Sequence, residues 1–379
     1  MDLRWTAEQE AMRDKVRRFA QTEVADVIPQ LERDDEQAFP IHLVTRMAEL
    51  GLMGIPIAQE WSGAGADFIS YIIAIHELSR VSATLGVILS VHTSVGTLPI
   101  VKHGTEEQRR QYVSKLASGQ WLGAFALTEP QAGSDAASIR TSATRDGDGY
   151  RLDGSKLFIT NAGAANVYLT FAVTDPNRGT RGISAFLVGR DTPGFHIGRR
   201  ERKMGLHGSS TCELLYDGVQ LSADQRLGGE GEGFTIAMGA LDGGRIGIGA
   251  QALGIAESAL QLLTAALTKR GAKRPAPPPA ARAAHAELAA RVEAARLLVY
   301  RAAALRQQGR SCTKEASMAK LFASDTAVEA ASAAVRWCGE QGYAKEYAAE
   351  RLFRDAKVTQ IYEGTNEIHR IVISNQLLR

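Results

Sequence analysis

One carboxylate in this chain stands where a base could work. The stretch Arg354-Asp355-Ala356-Lys357-Val358-Thr359-Gln360-Ile361-Tyr362-Glu363-Gly364-Thr365-Asn366-Glu367 reads as a helix running into Tyr-Glu-Gly-Thr, with a second apolar run from Ile368 to Leu378. Gly364 ends the first helix and lets the backbone approach another group closely. Thr365 or Asn366 can cap the second helix, whose first N–H groups then face outward. A Glu at such a break is placed to take a proton. Taken alone, a Glu-Gly corner is more often a solvated surface turn, so the rest of the chain has to decide.

Other kinds of chemistry find little support. The eight histidines show no paired metal-ligand spacing, and no Gly-x-Ser-x-Gly elbow occurs, so no metal site and no serine hydrolase are expected. Cys212, Cys312 and Cys338 lie far apart without a Cys-x-x-Cys pair. They read as small core fillers in a reducing compartment. Gly247-Ile248-Gly249-Ala250-Gln251-Ala252 imitates a dinucleotide fingerprint but sits in a helical pattern with no strand before it. Gly228-Gly229-Glu230-Gly231-Glu232-Gly233 carries two acids where a phosphate would lie and reads as a domain hinge.

The elements that must position Glu363 come from 379 residues, enough for two or three domains. Charged residues make up 23% and hydrophobic residues 45%, and the net charge is only +2 without a basic tract, which disfavours nucleic-acid binding. The first residues lack a signal-peptide core, and no continuous run of about 18 apolar residues is seen. A cytoplasmic chain with no membrane span is the expectation.

Thr6 and Gln9 form a capping-box pattern, and helices are predicted from there to about Gln120. They include Ile41 to Leu50 behind Pro40, Phe68 to Val81, Ala83 to His103, and one opening at Thr105. Short apolar runs follow: Leu122 to Leu127, a hairpin over Ser142 to Thr160 around Asp146-Gly147-Asp148-Gly149, Tyr168 to Thr174, Ile183 to Val188, Phe195 to Arg199 and Cys212 to Val219. After Gly233 the patterns Phe234 to Lys269, Ala281 to Gln308, Lys314 to Trp337 and Glu346 to Tyr362 are long enough for a bundle. The class is α+β and mostly α: an N-terminal helical domain over 1–120, a central β domain over 121–228 and a C-terminal four-helix bundle over 229–379.

Five ordered motifs carry a family resemblance. Leu127-Thr128-Glu129-Pro130-Gln131-Ala132-Gly133-Ser134-Asp135 and Gly154-Ser155-Lys156-Leu157-Phe158-Ile159-Thr160-Asn161 resemble the two flavin-site signatures of the acyl-CoA dehydrogenases. Lys203-Met204-Gly205, Leu241-Asp242-Gly243-Gly244-Arg245-Ile246-Gly247 and Arg354 through Thr365 match the same family, at family spacing over essentially the whole chain.

The resemblance implies FAD between the β domain and the bundle, and a homotetramer or homodimer. It places Phe125, Leu127, Thr128, Gly133, Ser134, Phe158, Ile159 and Thr160 around the flavin ring, and Gly364, Thr365, Asn366 and Glu367 along its ribityl and diphosphate region. It gives Arg270 and Gly339 to the ADP end, in a neighbouring subunit. It makes Glu363 the base that removes the proton α to a thioester while a hydride leaves the β carbon. Ser134, Asp242, Arg245, Glu363 and Gly364 then contact the acyl-CoA. The electron acceptor implied is an electron-transfer flavoprotein.

Two departures fall at the ADP end. Lys273-Arg274 stand where the family carries Phe-Gly, followed by the proline run Pro275-Ala276-Pro277-Pro278-Pro279, and Glu340 interrupts a Gly-Gly-x-Gly pattern at Cys338-Gly339-Glu340-Gln341-Gly342. Weakened FAD retention is the expectation there. Ser209-Ser210-Thr211-Cys212, Lys314 to Lys320 and Glu293 to Leu298 look like short/branched-chain members, and Leu241 through Leu253 like butyryl-type ones. A short straight or branched acyl-CoA is therefore expected as substrate. A carrier-protein thioester, oxygen as acceptor, and a non-redox relative that has lost FAD are the alternatives.

Overall fold

The computed structural model describes residues 4–33, 39–268 and 277–378. The expected capping box forms at the first helix, Ala7–Phe19: Thr6 Oγ1 accepts from Gln9 N at 3.3 Å, and the Gln9 side chain accepts from Thr6 N at 3.1 Å. Helix Ile41–Glu49 starts behind Pro40, whose fixed φ suits a helix start. Phe68–Ser79 is capped by Asp67, whose Oδ1 accepts from Ser70 N at 2.6 Å.

The helix Ala83–His103 runs on through a π-helical stretch, Val91–Thr97. This helix and Gly233–Thr268 are long and apolar enough to cross a membrane, contrary to the expectation that no such segment exists. Their most apolar windows are 89% and 72% buried in the protein itself, so the apolar length is spent on core packing.

Among the described residues, eight strands make the central sheet: β1 Gly123–Ala126, β2 Ser142–Asp146, β3 Gly149–Thr160, β4 Val167–Val173, β5 Ile183–Gly189, β6 Phe195–Arg200, β7 Thr211–Leu221 and β8 Arg226–Leu227. Their order is β6-β7-β3-β2-β4-β5-β8, and β1 pairs in parallel with β4. The predicted hairpin is present, with Asp146 paired to Gly149 across the loop Gly147–Asp148. Gly147 takes φ +56°, which a residue with a Cβ adopts only at a cost. One face of the sheet packs Leu169, Phe171, Ile183 and Leu187 against Ile236 and Ala237 at the start of the next helix. The other face packs Tyr168, Phe186 and Tyr216. The Gly228–Gly233 segment is a turn tied down by Glu230, which accepts from Arg145 at 2.5 Å and from Tyr150 Oη at 2.8 Å.

Helices then return: Gly233–Thr268, Pro279–Gln307, Thr313–Trp337, Ala348–Val358 and Asn366–Leu377. Ala316, Ala319, Ala323, Ala327, Ala330 and Ala334 recur at helical spacing, and all are fully buried. Small side chains let this helix approach Gly233–Thr268 closely. A Cβ on Gly249 would lie 3.2 Å from Val299 and 3.6 Å from the backbone of Ala319. The glycine repeat at 247–249 is thus a packing face inside a helix. The helix predicted over Glu346 to Tyr362 is shorter, because turn bonds Gln360 N to Lys357 O and Ile361 N to Val358 O replace the helical ladder.

The N-terminal helices and the bundle share one core, in which Ile72, Ile75 and Leu78 pack with Ile246, Leu253 and Ile255. A buried charge network crosses the same boundary. Glu257 meets His76 Nε2 at 3.1 Å, Arg296 at 2.5 Å and Arg80 at 3.4 Å, and His76 Nδ1 lies 3.0 Å from Tyr300 Oη. Burial pushes the Glu257 carboxyl up, but His76, Arg296 and Arg80 outweigh it and hold it down at about 2. A depressed carboxylate stabilises the fold above the ordinary carboxylate range, and that stability is lost as pH falls toward its folded value. Glu257→Gln is expected to destabilise the fold near neutral pH, by less than the loss of a fully buried pair because Arg80 and Arg296 keep Glu77 and Glu293. It should also flatten the acid side of the stability curve between about pH 5 and about pH 2, followed by chemical denaturation at each pH.

Candidate functional site

The break at residues 359–365 is built by the elements on either side. Thr359 closes the Ala348–Val358 helix by donating from Oγ1 to Ala356 O at 2.6 Å. Thr365 opens the next, its Oγ1 accepting from Ile368 N at 3.3 Å, as a cap should. Between them the backbone turns left-handed, with Glu363 at φ +53° and Gly364 at φ +95°. A residue with a Cβ pays about 1–2 kcal/mol to sit at Glu363's φ. At Gly364 a Cβ would press within 3.1 Å of the His369 ring. Tyr362 anchors the turn from below by donating to Gln251 Oε1, and Gln251 Nε2 donates to Ala83 O at 2.8 Å.

The Glu363 carboxylate lies against Gly244 of the Gly233–Thr268 helix, where a Cβ would come within 2.5 Å of Oε2. Oε2 is buried and has no hydrogen-bond partner among the described residues. Burial pushes the Glu363 carboxyl up to about 7, against the pull of Arg245 and Lys320. Arg245 pairs with Asp242 at 3.0 Å, and Asp242 also accepts from Thr313 Oγ1 at 2.6 Å. Both members of the pair are largely buried, unlike a solvated i,i+3 pair, and Arg245 Nε is another buried atom without a partner among the described residues. His369 is fully buried with both ring nitrogens unpartnered among the described residues, and burial drops its pKa to about 3, so the ring is neutral.

A second cluster surrounds the 127–134 loop. Glu129 is buried and accepts from Lys156 Nζ at 2.7 Å, Arg140 N at 2.6 Å and Thr141 N at 3.0 Å. Lys156 also donates to Leu127 O at 3.1 Å, and Leu157 N donates to Thr128 O at 2.8 Å. Burial pulls Lys156 down to about 8, opposed by Glu129. These bonds pin the loop to β3, where a register shift falls between Lys156 and Ile159. Phe158 sits in that irregularity at φ +57°, with 60% of its surface exposed. Thr128 and Thr160 are half-buried, Ser134 is exposed, and a Cβ on Gly133 would meet nothing within 4 Å. Phe125 packs on Phe171 with ring centroids 5.0 Å apart. Leu127 and Ile159 differ from the others: their side chains are buried in the cores on the two faces of the sheet, which leaves only their backbone for a ligand.

The Ala83–His103 helix stands between the two clusters. Its Ile88 O takes Asn161 Nδ2 at 3.3 Å, its Ala83 O takes Gln251, and its Ser90 hydroxyl fills the space above Gly247. The Lys203–Gly205 segment is tied to the helix before Glu363, since Asp355 Oδ1 accepts from Leu206 N at 2.6 Å and Arg354 donates to Met204 O at 3.2 Å. Arg270 and Lys273-Arg274 lie outside the described residues. Gly339, at φ +65°, and Glu340 are exposed. A cavity of about 810 Å³, lined by Thr264, Thr268, Arg282 and His285, has no Glu363 in its wall.

Sequence reasoning missed Gly244, Gln251, Lys320 and His369 as neighbours of the turn. A lone Gln in the apolar run 246–256 and a lone Lys among buried alanines were the available signals. Replacing Lys156 with Met strands the Glu129 charge and is expected to cost about 3–5 kcal/mol, read as a shift of the denaturation midpoint.

Known proteins align along the whole chain. The family model "Acyl-CoA dehydrogenase, N-terminal domain" matches residues 6–120, the middle-domain model matches 124–219, and the C-terminal-domain model matches 231–378. An acyl-CoA dehydrogenase of Bacillus subtilis is 56% identical over 376 residues, covering 98% of each chain. A short-chain specific acyl-CoA dehydrogenase of Clostridium acetobutylicum is 46% identical over the full length of both. The solved structure of butyryl-CoA dehydrogenase from Megasphaera elsdenii superposes with a TM-score of 0.97 at 42% identity, covering 100% of each chain. With a helical, a β and a second helical segment each matched in order, this chain belongs to the acyl-CoA dehydrogenase family.

Proposed function

We propose that this chain is an FAD-dependent dehydrogenase of short straight or branched acyl-CoA thioesters, yielding the 2-enoyl-CoA, with Glu363 as the base. The observation that carries this reading is the buried, unpartnered Oε2 of Glu363, set against Gly244 with its proton affinity raised to about 7.

The residues present fit the cofactor. Phe158 is held exposed at positive φ, Gly133 is open to close approach, and Thr128, Ser134 and Thr160 offer hydroxyls. Gly364 to Glu367 lead into the N-terminus of a 12-residue helix, which favours the flavin's diphosphate region. FAD bound there supplies the acceptor for the hydride that leaves the substrate's β carbon.

Glu363 takes the α proton. An α proton beside a thioester is weakly acidic, so a base freed from water and raised toward neutrality is better matched to it than an ordinary carboxylate. The Glu363 N–H, on the same left-handed turn, is the donor we assign to the thioester oxygen as negative charge develops there. Arg245, steadied by Asp242 and Thr313, offers its unpartnered Nε to a polar group of the acyl-CoA. Ser94 and Ser90 of the Ala83–His103 helix lie against Gly243 and Gly247, on either side of the Gly244 contact with Glu363, which supports a short acyl group.

An electron-transfer flavoprotein is the acceptor we propose, as family membership suggests. Exposed Ile371 and Leu377 on the last helix, with Leu378 just after it, support assembly into a homotetramer or homodimer. Three free cysteines support a cytoplasmic setting. Glu340, exposed beside Gly339, supports a looser hold on the ADP end of FAD.

Purified protein should be yellow. A colourless protein that takes up no added FAD would overturn the proposal. In a panel of acyl-CoAs assayed with an electron-transfer flavoprotein, four- and five-carbon straight and branched substrates should be turned over fastest. Preference for long chains would remove the substrate assignment. Glu363→Gln should keep its flavin and lose reduction by acyl-CoA by on the order of 10³-fold or more. Because Glu363 must be ionised to act, kcat/KM of the unaltered enzyme should fall about tenfold per pH unit below about pH 7.

A further inference from the structure

Lys320 lies on the Thr313–Trp337 helix with no exposed surface. Taking an ammonium out of water is costly unless partners replace it. Its Nζ donates to Gly364 O at 2.7 Å and to Asn366 Oδ1 at 3.0 Å. Asn366 is itself held by Ser324 Oγ at 2.9 Å and Asp325 Oδ1 at 2.8 Å, and Asp325 also accepts from Gln360 Nε2 at 2.6 Å. The Gln360 carbonyl accepts from Asn366 N at 3.0 Å, closing the loop on itself. Both ends of the turn are thus fastened to one helical face, and Lys320 grips the carbonyl directly after Glu363.

We propose that Lys320 is a positioning residue for Glu363: its Nζ fixes the Glu363–Gly364 turn through the Gly364 carbonyl and sets a cation beside the turn that carries the carboxylate. The inference rests on the reading of Glu363 as the base. A neutral hydrogen-bond donor would satisfy the carbonyl equally well, so the charge needs its own reason. That reason is the carboxylate, since a nearby cation favours the ionised form that accepts a proton.

The groups that bear on Lys320 come from every packed element. Glu363 stands on the turn, Arg245 on the Gly233–Thr268 helix, Asp325 on its own helix, and Glu367 with neutral His369 on the Asn366–Leu377 helix. Burial pulls Lys320 down to about 7, and Glu363 and Asp325 pull it back up. Glu363 and Lys320 each favour the charged form of the other.

Two variants separate the roles. Lys320→Met removes both donor and charge. Lys320→Gln removes the charge and keeps an amide donor within reach of the turn. In the holoenzyme, Lys320→Met should lower kcat on the order of 10- to 100-fold and move the acid limb of kcat/KM up by about one pH unit. Lys320→Gln should move the limb equally with a smaller fall in kcat. Infrared titration of the resting protein, with the Glu363 band assigned by its absence in Glu363→Gln, should show the same upward shift without turnover.

A limb and an infrared titration that stay in place in either folded variant would overturn the proposal, whatever the melting temperature does. If Glu363→Gln still undergoes reduction by acyl-CoA, the base assignment itself fails. If Glu363→Gln is inactive while the Lys320 variants keep the parent rate and limb, the inference about Lys320 fails alone.

Discussion

The site depends on one close approach, a carboxylate laid against a helix at Gly244, where the helix offers no side chain. Gly244 admits Glu363 Oε2 to a spot that even a methyl group would occupy. That contact buries Oε2, and desolvation is the one cause that raises the carboxyl's proton affinity. Two cations, Arg245 and Lys320, then limit the rise to about 7. Burial without the cations would leave a neutral acid, and cations without burial would leave a weak base.

Holding this arrangement requires a rigid surround. Glu363 occupies a left-handed conformation that residues with a Cβ avoid, and such strain persists only where neighbours over-determine it. Tyr362 through Gln251 fixes it from one side, and Lys320 with Asn366 from the other. Both anchors are buried polar contacts between helices distant in sequence, so the turn is set by the bundle's packing. The alanine face of Thr313–Trp337 and the glycines of Gly233–Thr268 allow the helix approach that brings these groups into range.

The Ala83–His103 helix extends the same order toward the sheet. Its carbonyls receive Gln251 on the bundle side and Asn161 on the β side, so the Glu363 turn and the Phe158 irregularity are referred to one rigid element. The same helix carries a π-helical stretch at Val91–Thr97, a departure often found where function needs it. The Glu129–Lys156 pair plays the matching part under the 127–134 loop.

Element types and most boundaries were legible in the sequence because they rest on local rules. The Thr6 capping box, Pro40, the Asp146–Gly149 turn and the helix-strand-helix succession follow from capping, turn chemistry and hydrophobic period. The corner at Glu363-Gly364 was also visible, and ordered motifs made it a candidate base. Its meaning was not local. The helix before it ends early, at Val358, because tertiary anchors pull residues 359–363 out of the ladder. Two apolar helices looked unremarkable by continuous runs, yet only their burial shows that their length serves the core. Lys320 and Gln251 gave no motif, since a lone polar residue in an apolar run becomes informative only once the fold shows what it faces. The sequence alone determined that a carboxylate sits at a helix break. Tertiary packing decided that its Oε2 is buried without a hydrogen-bond partner among the described residues and under the pull of two cations, because desolvation and charge proximity depend on what lies across space.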